Sequence, residues 1–235
     1  QASWFGLLLL GSFGVVFNLL LRTGKRTAQA PSLQAVLGGL LASVAVGLSA
    51  NVQSILEWLY ANGIRLEGLN RWIDVYNFEE NATVSNQWFI NTGWWWWRSS
   101  RVIEDLDLNG NHIEVIDEFP IFSYILGDNH PHVLAMPFVL LVIGLALTLF
   151  WSTPRGYRSS FLGRLHALLP LGWIGLLLMS VASGALIFLN TWDFPPYWLL
   201  LAVSGAMAAW RSTSGQNEGR LAFALGAGAA LGAAL

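Results

Sequence analysis

From His132 to Trp151 the chain reads HVLAMPFVLLVIGLALTLFW, a run without Asp, Glu, Lys or Arg. At 1.5 Å of rise per residue, about 20 apolar residues in a helix cross the ~30 Å hydrocarbon core of a bilayer. Inside lipid each backbone N–H and C=O must find its partner within the segment, and a helix provides that. Ser3 to Leu21, Leu33 to Ala50 and Leu165 to Leu189 are apolar runs of the same kind. Trp198 to Trp210 is shorter and borrows the aromatic residues before it, and Leu221 to Leu235 reads as a sixth span. The expectation is an all-α integral membrane protein with about six transmembrane helices, read as a fragment of a longer chain because the first residue is Gln rather than Met and GAGAALGAAL stops inside an apolar run. Composition agrees: 11% of residues are charged, against roughly 25% in soluble domains.

Charge in the linkers tests this independently. Linkers 22–32 and 152–164 carry Arg22, Lys25, Arg26, Arg155, Arg158 and Arg164 with no acid. Segment 51–131 holds Arg65, Arg71, Arg98 and Arg101 against twelve acids, and 190–197 holds only Asp193. Linker 211–220 has Arg211 and Arg220 against Glu218. Basic and acidic linkers alternate as the positive-inside rule requires. Segments 51–131 and 190–197 are therefore expected to share the outer face of the membrane, with the basic linkers in the cytoplasm. A net charge of −2 gives no argument for nucleic acid, and the absence of Cys excludes disulfides and thiolate metal sites.

Segment 51–131 is the part large enough to carry chemistry outside the membrane. Within it, SILEWLYANG and NGNHIEVIDEFPIFSYIL suggest short amphipathic helices at the interface, while EENATVSN and DLNGN read as turns. Asn81-Ala-Thr83 matches a glycosylation sequon.

The segment ends on GDNHPH, Gly127 to His132. The residue before a proline avoids helical dihedrals, so His130 is expected outside the next helix with Pro131 in its first turn. Asp128, His130 and His132 then surround a helix N-terminus whose free N–H groups favour anions. An acid with two imidazoles can hold a divalent cation, bind a phosphate, or act as a base with its orienting partner. The bland alternative is a capped helix with interfacial histidines. Ten residues upstream, Glu118 of DEFP again precedes an aromatic and a proline. Asp117 and Glu118 either cap the helix that FPIFSYIL begins or share a pocket with Asp128.

Trp94 to Trp97 precede Arg98. Four consecutive side chains point all round a helix, so one buried face cannot take them. An interfacial belt accommodates them, and so does a site in which Trp94 and Trp97 grip a sugar or lipid while Arg98 and Arg101 hold a phosphate. In NTWDFPP, Asn190 and Asp193 end one span and the double proline stops the helix before the next. Asp193 is read either as a turn-forming residue or as part of a site. His166, at the cytoplasmic end of its span, is structural, His112 is an exposed turn residue, and Asn51 caps a helix. The Gly- and Ala-rich runs at 34–50 and 222–235 suit close helix packing.

WWWWRSSRVI, DEFPIFSYILGDNHPHVLAMPF and NTWDFPP, in this order between these spans, resemble the YYY family of polytopic prokaryotic membrane proteins. The resemblance covers most of the chain, and the tyrosine-rich stretch that names the family is not in it. The family is grouped with the GT-C superfamily of integral-membrane glycosyltransferases, which take sugars from polyprenyl-phosphate carriers at outer loops. The resemblance implies catalytic roles for Asp128, Glu118, His130 and His132, with Asp128 or Glu118 as base. The residues themselves offer Trp94, Trp97, Arg98, Arg101, Asn190 and Asp193 as substrate contacts, and Asp128, His130 and His132 as ligands of a divalent metal. The competing readings are a non-enzymatic subunit of a membrane protein complex and, more weakly, a transporter; the spans hold almost no central charge and show no inverted repeat.

Overall fold

A computed structural model describes residues 1–23, 33–48, 53–72, 99–100, 104–152, 161–169, 172–212 and 220–235. Trp94, Trp97, Arg98, Arg101, Asn51 and the Asn81 sequon lie outside these residues. The described chain is mostly helical and divides into two compact units, one formed by Gln1 and Val44–Asp128, the other by Ala2–Ser43 and Asn129–Leu235.

The second unit holds the apolar helices α1 (Ala2–Thr23), α6 (Pro131–Trp151) and α8 (Gly172–Leu189), each long and apolar enough to cross a membrane. With them are most of α2 (Leu33–Gly47), α7 (Phe161–Leu168), α9 (Phe194–Ser212) and α10 (Arg220–Ala234). Its core is formed by residues such as Val142 and Leu149 of α6, Leu186 of α8, Leu201 of α9 and Leu231 of α10. Outside this core the surface stays apolar: Phe188 is 91% exposed, Ile174 71% and Leu10 66%. Water would penalise that surface, whereas lipid tails accept it. With apolar groups on both sides, association rests on close packing rather than on the hydrophobic effect. Small residues provide it. A Cβ at Gly228 of α10 would lie 2.9 Å from the Ala202 carbonyl oxygen of α9. One at Gly39 of α2 would lie 2.7 Å from the Phe13 ring of α1. Ser43 of α2 donates its hydroxyl to the Leu9 carbonyl of α1 at 2.8 Å.

Two expected spans differ in detail. The run Leu165–Leu189 is two helices, because α7 ends at Leu168 and α8 starts only at Gly172, whose φ of +62° is left-handed. The run from Trp198 starts earlier, at Phe194, and reaches 19 residues. The double proline, Pro195 and Pro196, therefore lies in the first turn of α9 rather than outside it. The first-turn N–H groups have no helical partner in any case, so the prolines cost little there.

The first unit contains α3 (Gln53–Ala61), α4 (Glu67–Trp72), strands β1 (Glu104–Leu106) and β2 (His112–Glu114), and α5 (Pro120–Leu126). Helix α3 is amphipathic as expected: Leu56 and Tyr60, one turn apart, are buried, while Ile55 is exposed. The amphipathic helix expected over NGNHIEVID is corrected, since HIE pairs antiparallel with EDL, Leu106 opposite His112 and Glu104 opposite Glu114. Ile113, at the centre of the second strand, is β-branched and favours extended backbone. The turn that closes it, Asp107–Asn111, is locked from within. Oδ1 of Asp107 accepts the N–H groups of Asn109 and Asn111, both at 2.8 Å, and Oδ2 accepts the Asn111 amide at 3.0 Å. Gly110 supplies the left-handed residue at φ +83°. His112 is accordingly an exposed strand residue beside the turn, not in it.

Candidate functional site

The segment DEFPIFSYILGDNHPH folds around α5. Phe119 is extended, with φ −139° and ψ 152°, and Pro120 opens the helix. The fixed φ of proline suits a first helical position. Seven residues later Gly127 ends the helix in the left-handed region at φ +77°. The Asp128 N–H then reaches back to the Ser123 carbonyl at 2.9 Å, the 6→1 bond of a Schellman cap. Ser123 is fully buried, and its hydroxyl donates to Oε2 of Glu118 at 3.4 Å. One residue of α5 thus ties down both Glu118, just before the helix, and Asp128, just after it.

The N-cap of α5 is Phe119, whose side chain makes no capping hydrogen bond. The Asp117 N–H donates to the Ser100 carbonyl at 2.7 Å. Burial pushes the phenol of Tyr124, on α5, above its ordinary range.

His130 occupies the N-cap of α6 with φ −56° and ψ 146°, and Pro131 follows at the first helical position. This is the arrangement expected from the proline. The His130 and His132 rings stack with centroids 5.6 Å apart and planes at 13°. One ligand atom from each of Glu118, Asp128 and His130 lies within 4.8 Å of the others; the two carboxylates are partly buried and His130 is exposed. The expected metal set was Asp128, His130 and His132. In the structure Glu118 takes the third place, and His132 lies against the His130 ring.

Cations bound by carboxylate and imidazole sit about 2.0–2.3 Å from each ligand. Donors on opposite sides of such an ion are therefore roughly 4–4.6 Å apart, and the spread seen here closes onto an ion with small side-chain adjustments. Two carboxylates with one imidazole suit a hard or borderline divalent ion such as Mn²⁺.

Asn190 and Asp193 close on each other. The Asn190 amide donates to Oδ2 of Asp193 at 3.0 Å, and the Asp193 N–H donates to the Asn190 carbonyl at 3.0 Å. The Asp193 carbonyl accepts the Tyr197 N–H at 3.4 Å as α9 begins. The pair performs the turn role that its sequence allowed. His166, on α7, lies 6.3 Å from the Trp173 ring between centroids.

Ser123 escaped the sequence reading, and the one signal for it is a lone small hydroxyl within the aromatic and aliphatic FPIFSYIL. Gln1 also escaped, and its amide donates to the Asp128 carbonyl at 3.4 Å; nothing in its sequence position marks it.

The family model described as "Uncharacterized membrane protein (DUF2298)" matches residues 1–235. No curated protein and no solved structure matches the chain.

Proposed function

We propose that this chain, which belongs to the DUF2298 family of uncharacterised membrane proteins, is a GT-C-like glycosyltransferase. It would take a sugar from a polyprenyl-phosphate donor at the outer face of a prokaryotic plasma membrane, as a multi-pass protein. The observation that carries this reading is the grouping of Glu118, Asp128 and His130 at the start of an apolar helix of membrane length. Ionisable groups are costly at such a boundary, and where they occur together they usually serve a function.

The reaction requires an acceptor hydroxyl to attack the anomeric carbon as the bond from that carbon to the donor phosphate breaks. The hydroxyl proton passes to a carboxylate, and polyprenyl phosphate leaves with the electron pair. Asp128 is the base in this reading, with Glu118 as the second carboxylate and the stacked His130–His132 pair beside them. Arg98 and Arg101 would hold the donor phosphate through charge-assisted hydrogen bonds, and Trp94 and Trp97 would stack on the sugar. Asn190 and Asp193 belong to the rim. A divalent ion held by Glu118, Asp128 and His130 would neutralise charge on the departing phosphate.

Transfer by wild-type protein from a panel of polyprenyl-phosphate sugars is the direct test. Asp128→Asn keeps the shape of the side chain and removes its basicity, so product should fall by at least about a hundredfold, the scale of general-base catalysis. Membrane insertion should be unchanged. Equal turnover by both proteins would exclude Asp128 as the base. No turnover with any donor, with lower yield of an assembled complex on substitution, would favour an accessory subunit.

A further inference from the structure

In the second unit, α1 and α6 run side by side in the same direction. The Trp4 indole donates to the Leu134 carbonyl at 2.9 Å, Gly11 lies against Leu140, and the Arg22 guanidinium lies over the Trp151 ring, 5.6 Å from its centroid. Along this pair runs an open groove of about 720 Å³. Its walls are apolar, mostly Leu, and Leu10 and Leu141 in them are exposed. Gly14 and Gly144 also line it, and a Cβ built on either meets nothing within 4 Å. The groove is therefore open where these two helix positions carry no side chain. Its polarity is confined to one end, where Asn18, Arg22, Thr148 and Ser152 line it.

We propose that this groove holds an acyl chain of an anionic phospholipid, with the lipid phosphate on Arg22. The rise from Leu7 to Arg22 is about 22 Å, more than the ~15 Å depth of one leaflet's hydrocarbon. The polar end is cationic: Arg211 lies over Phe150 at 4.1 Å, one residue from Trp151. Linkers 22–32 and 152–164, which follow α1 and α6 at this end, carry Arg22, Lys25, Arg26, Arg155, Arg158 and Arg164 and no acid. Basic pockets between helices at the cytoplasmic boundary recognise anionic headgroups. The polar end is also the far end of α6 from His130, about 30 Å along the helix. A sugar donor with its phosphate near His130 would not place charge there, so this site is distinct from the one proposed for transfer.

The test is native mass spectrometry of the purified, delipidated chain titrated with phosphatidylglycerol or phosphatidylcholine. One phosphatidylglycerol should be retained in preference to phosphatidylcholine, and Arg22→Gln should reduce that preference about fivefold. Gly14→Leu and, separately, Gly144→Leu fill the groove from opposite walls without meeting a neighbour at Cβ. Each should lose the bound lipid while keeping the wild-type elution volume and melting temperature. Equal retention by wild type and both filled variants would overturn the proposal. So would equal binding of the two lipids, or a change of oligomeric state in place of lipid loss, which would mean that a helix covers the groove.

Discussion

The hydroxyl of Ser123 donates to Oε2 of Glu118 across 3.4 Å, while the carbonyl of the same serine accepts the amide of Asp128 at 2.9 Å. Glu118 and Asp128 are ten residues apart, and this one buried side chain orients the first while its backbone anchors the second. Ser123→Ala removes the orienting bond and leaves the backbone bond intact. The loss should be about 1 kcal/mol of stability and about tenfold in Mn²⁺ affinity, the effect typical of a lost outer-shell partner. Thermal melting and Mn²⁺ titration followed by electron paramagnetic resonance would read the two. Unchanged Mn²⁺ affinity would separate Ser123 from the carboxylate pair.

Gly127 makes that return of the chain possible. At φ +77° an L side chain is strained, whereas the space beside it is tolerable, since a Cβ would lie 3.2 Å from the flexible Gln1 amide oxygen. Gly127→Ala should cost about 1–2 kcal/mol. Gly127→Asn should cost less, because asparagine visits the left-handed region more readily. Melting temperatures should fall in the order wild type, Asn, Ala. An Ala variant as stable as wild type would mean that the cap does not hold the site.

What could be read from sequence follows from the range of the interactions involved. Residue types along a single span announce α1, α6 and α8, because lipid imposes a long apolar run. The extended N-cap at His130 follows from Pro131, a rule that acts on one neighbouring residue. The approach of Glu118 to Asp128 could not be read, because it depends on a seven-residue helix and its Schellman cap. The hairpin at 104–114 was misread for a different reason. Three-residue strands are too short to show a period of two, and the Asp107 side chain that fixes the turn acts only once the turn has formed. The break between α7 and α8 is hidden in the sequence because the apolar pattern runs on through Pro170 and Gly172, although those two residue types signal an interruption.

Gly228 tests the packing of α9 and α10. Its Cβ would approach a backbone oxygen, which cannot swing aside as the end of a side chain can. Gly228→Val should therefore separate the helices and destabilise the unit by about 1–3 kcal/mol, the usual cost of overpacking. Gly144→Ala, with open space around it, is the control and should be neutral. Detergent-solubilised melting curves would compare them.

Asp107 makes the hairpin turn sensitive to acid. Its carboxylate is held below the ordinary range, first by the Asn111 side-chain amide and then by the Asn111 N–H. A carboxylate with a depressed folded-state pKa stabilises above the unfolded pKa, and that contribution disappears as pH falls through the folded value. The turn should be fully ordered at neutral pH and loosen only below the ordinary aspartate range. Amide exchange at Asn109 and Asn111 should rise there relative to the helices. In Asp107→Asn the same amides should exchange faster at every pH, with no acid transition; a transition that survives the substitution would belong to another group.

Topology underlies the placement of the proposed transfer site. Arg22 over Trp151 and Arg211 over Phe150 put two cations at the end of α6 farthest from His130, and the acid-free linkers extend that positive end. Positive ends face the cytoplasm, so the hairpin and the Glu118–Asp128–His130 group should face outward. The chain contains no Cys, so a single introduced thiol reports its own side. Asn109 is exposed in the hairpin turn, and the main hydrogen bond it makes to Asp107 comes from its backbone N–H at 2.8 Å, its side chain adding the smallest of the effects on that carboxylate. Asn109→Cys should therefore fold normally and react with a membrane-impermeant maleimide in intact cells. Ser159→Cys, in the basic linker 152–164, should react only after the membrane is opened. The reverse pattern would place the candidate site in the cytoplasm, where an outer-leaflet lipid-linked sugar cannot reach it, and would rule out the proposed reaction at that face.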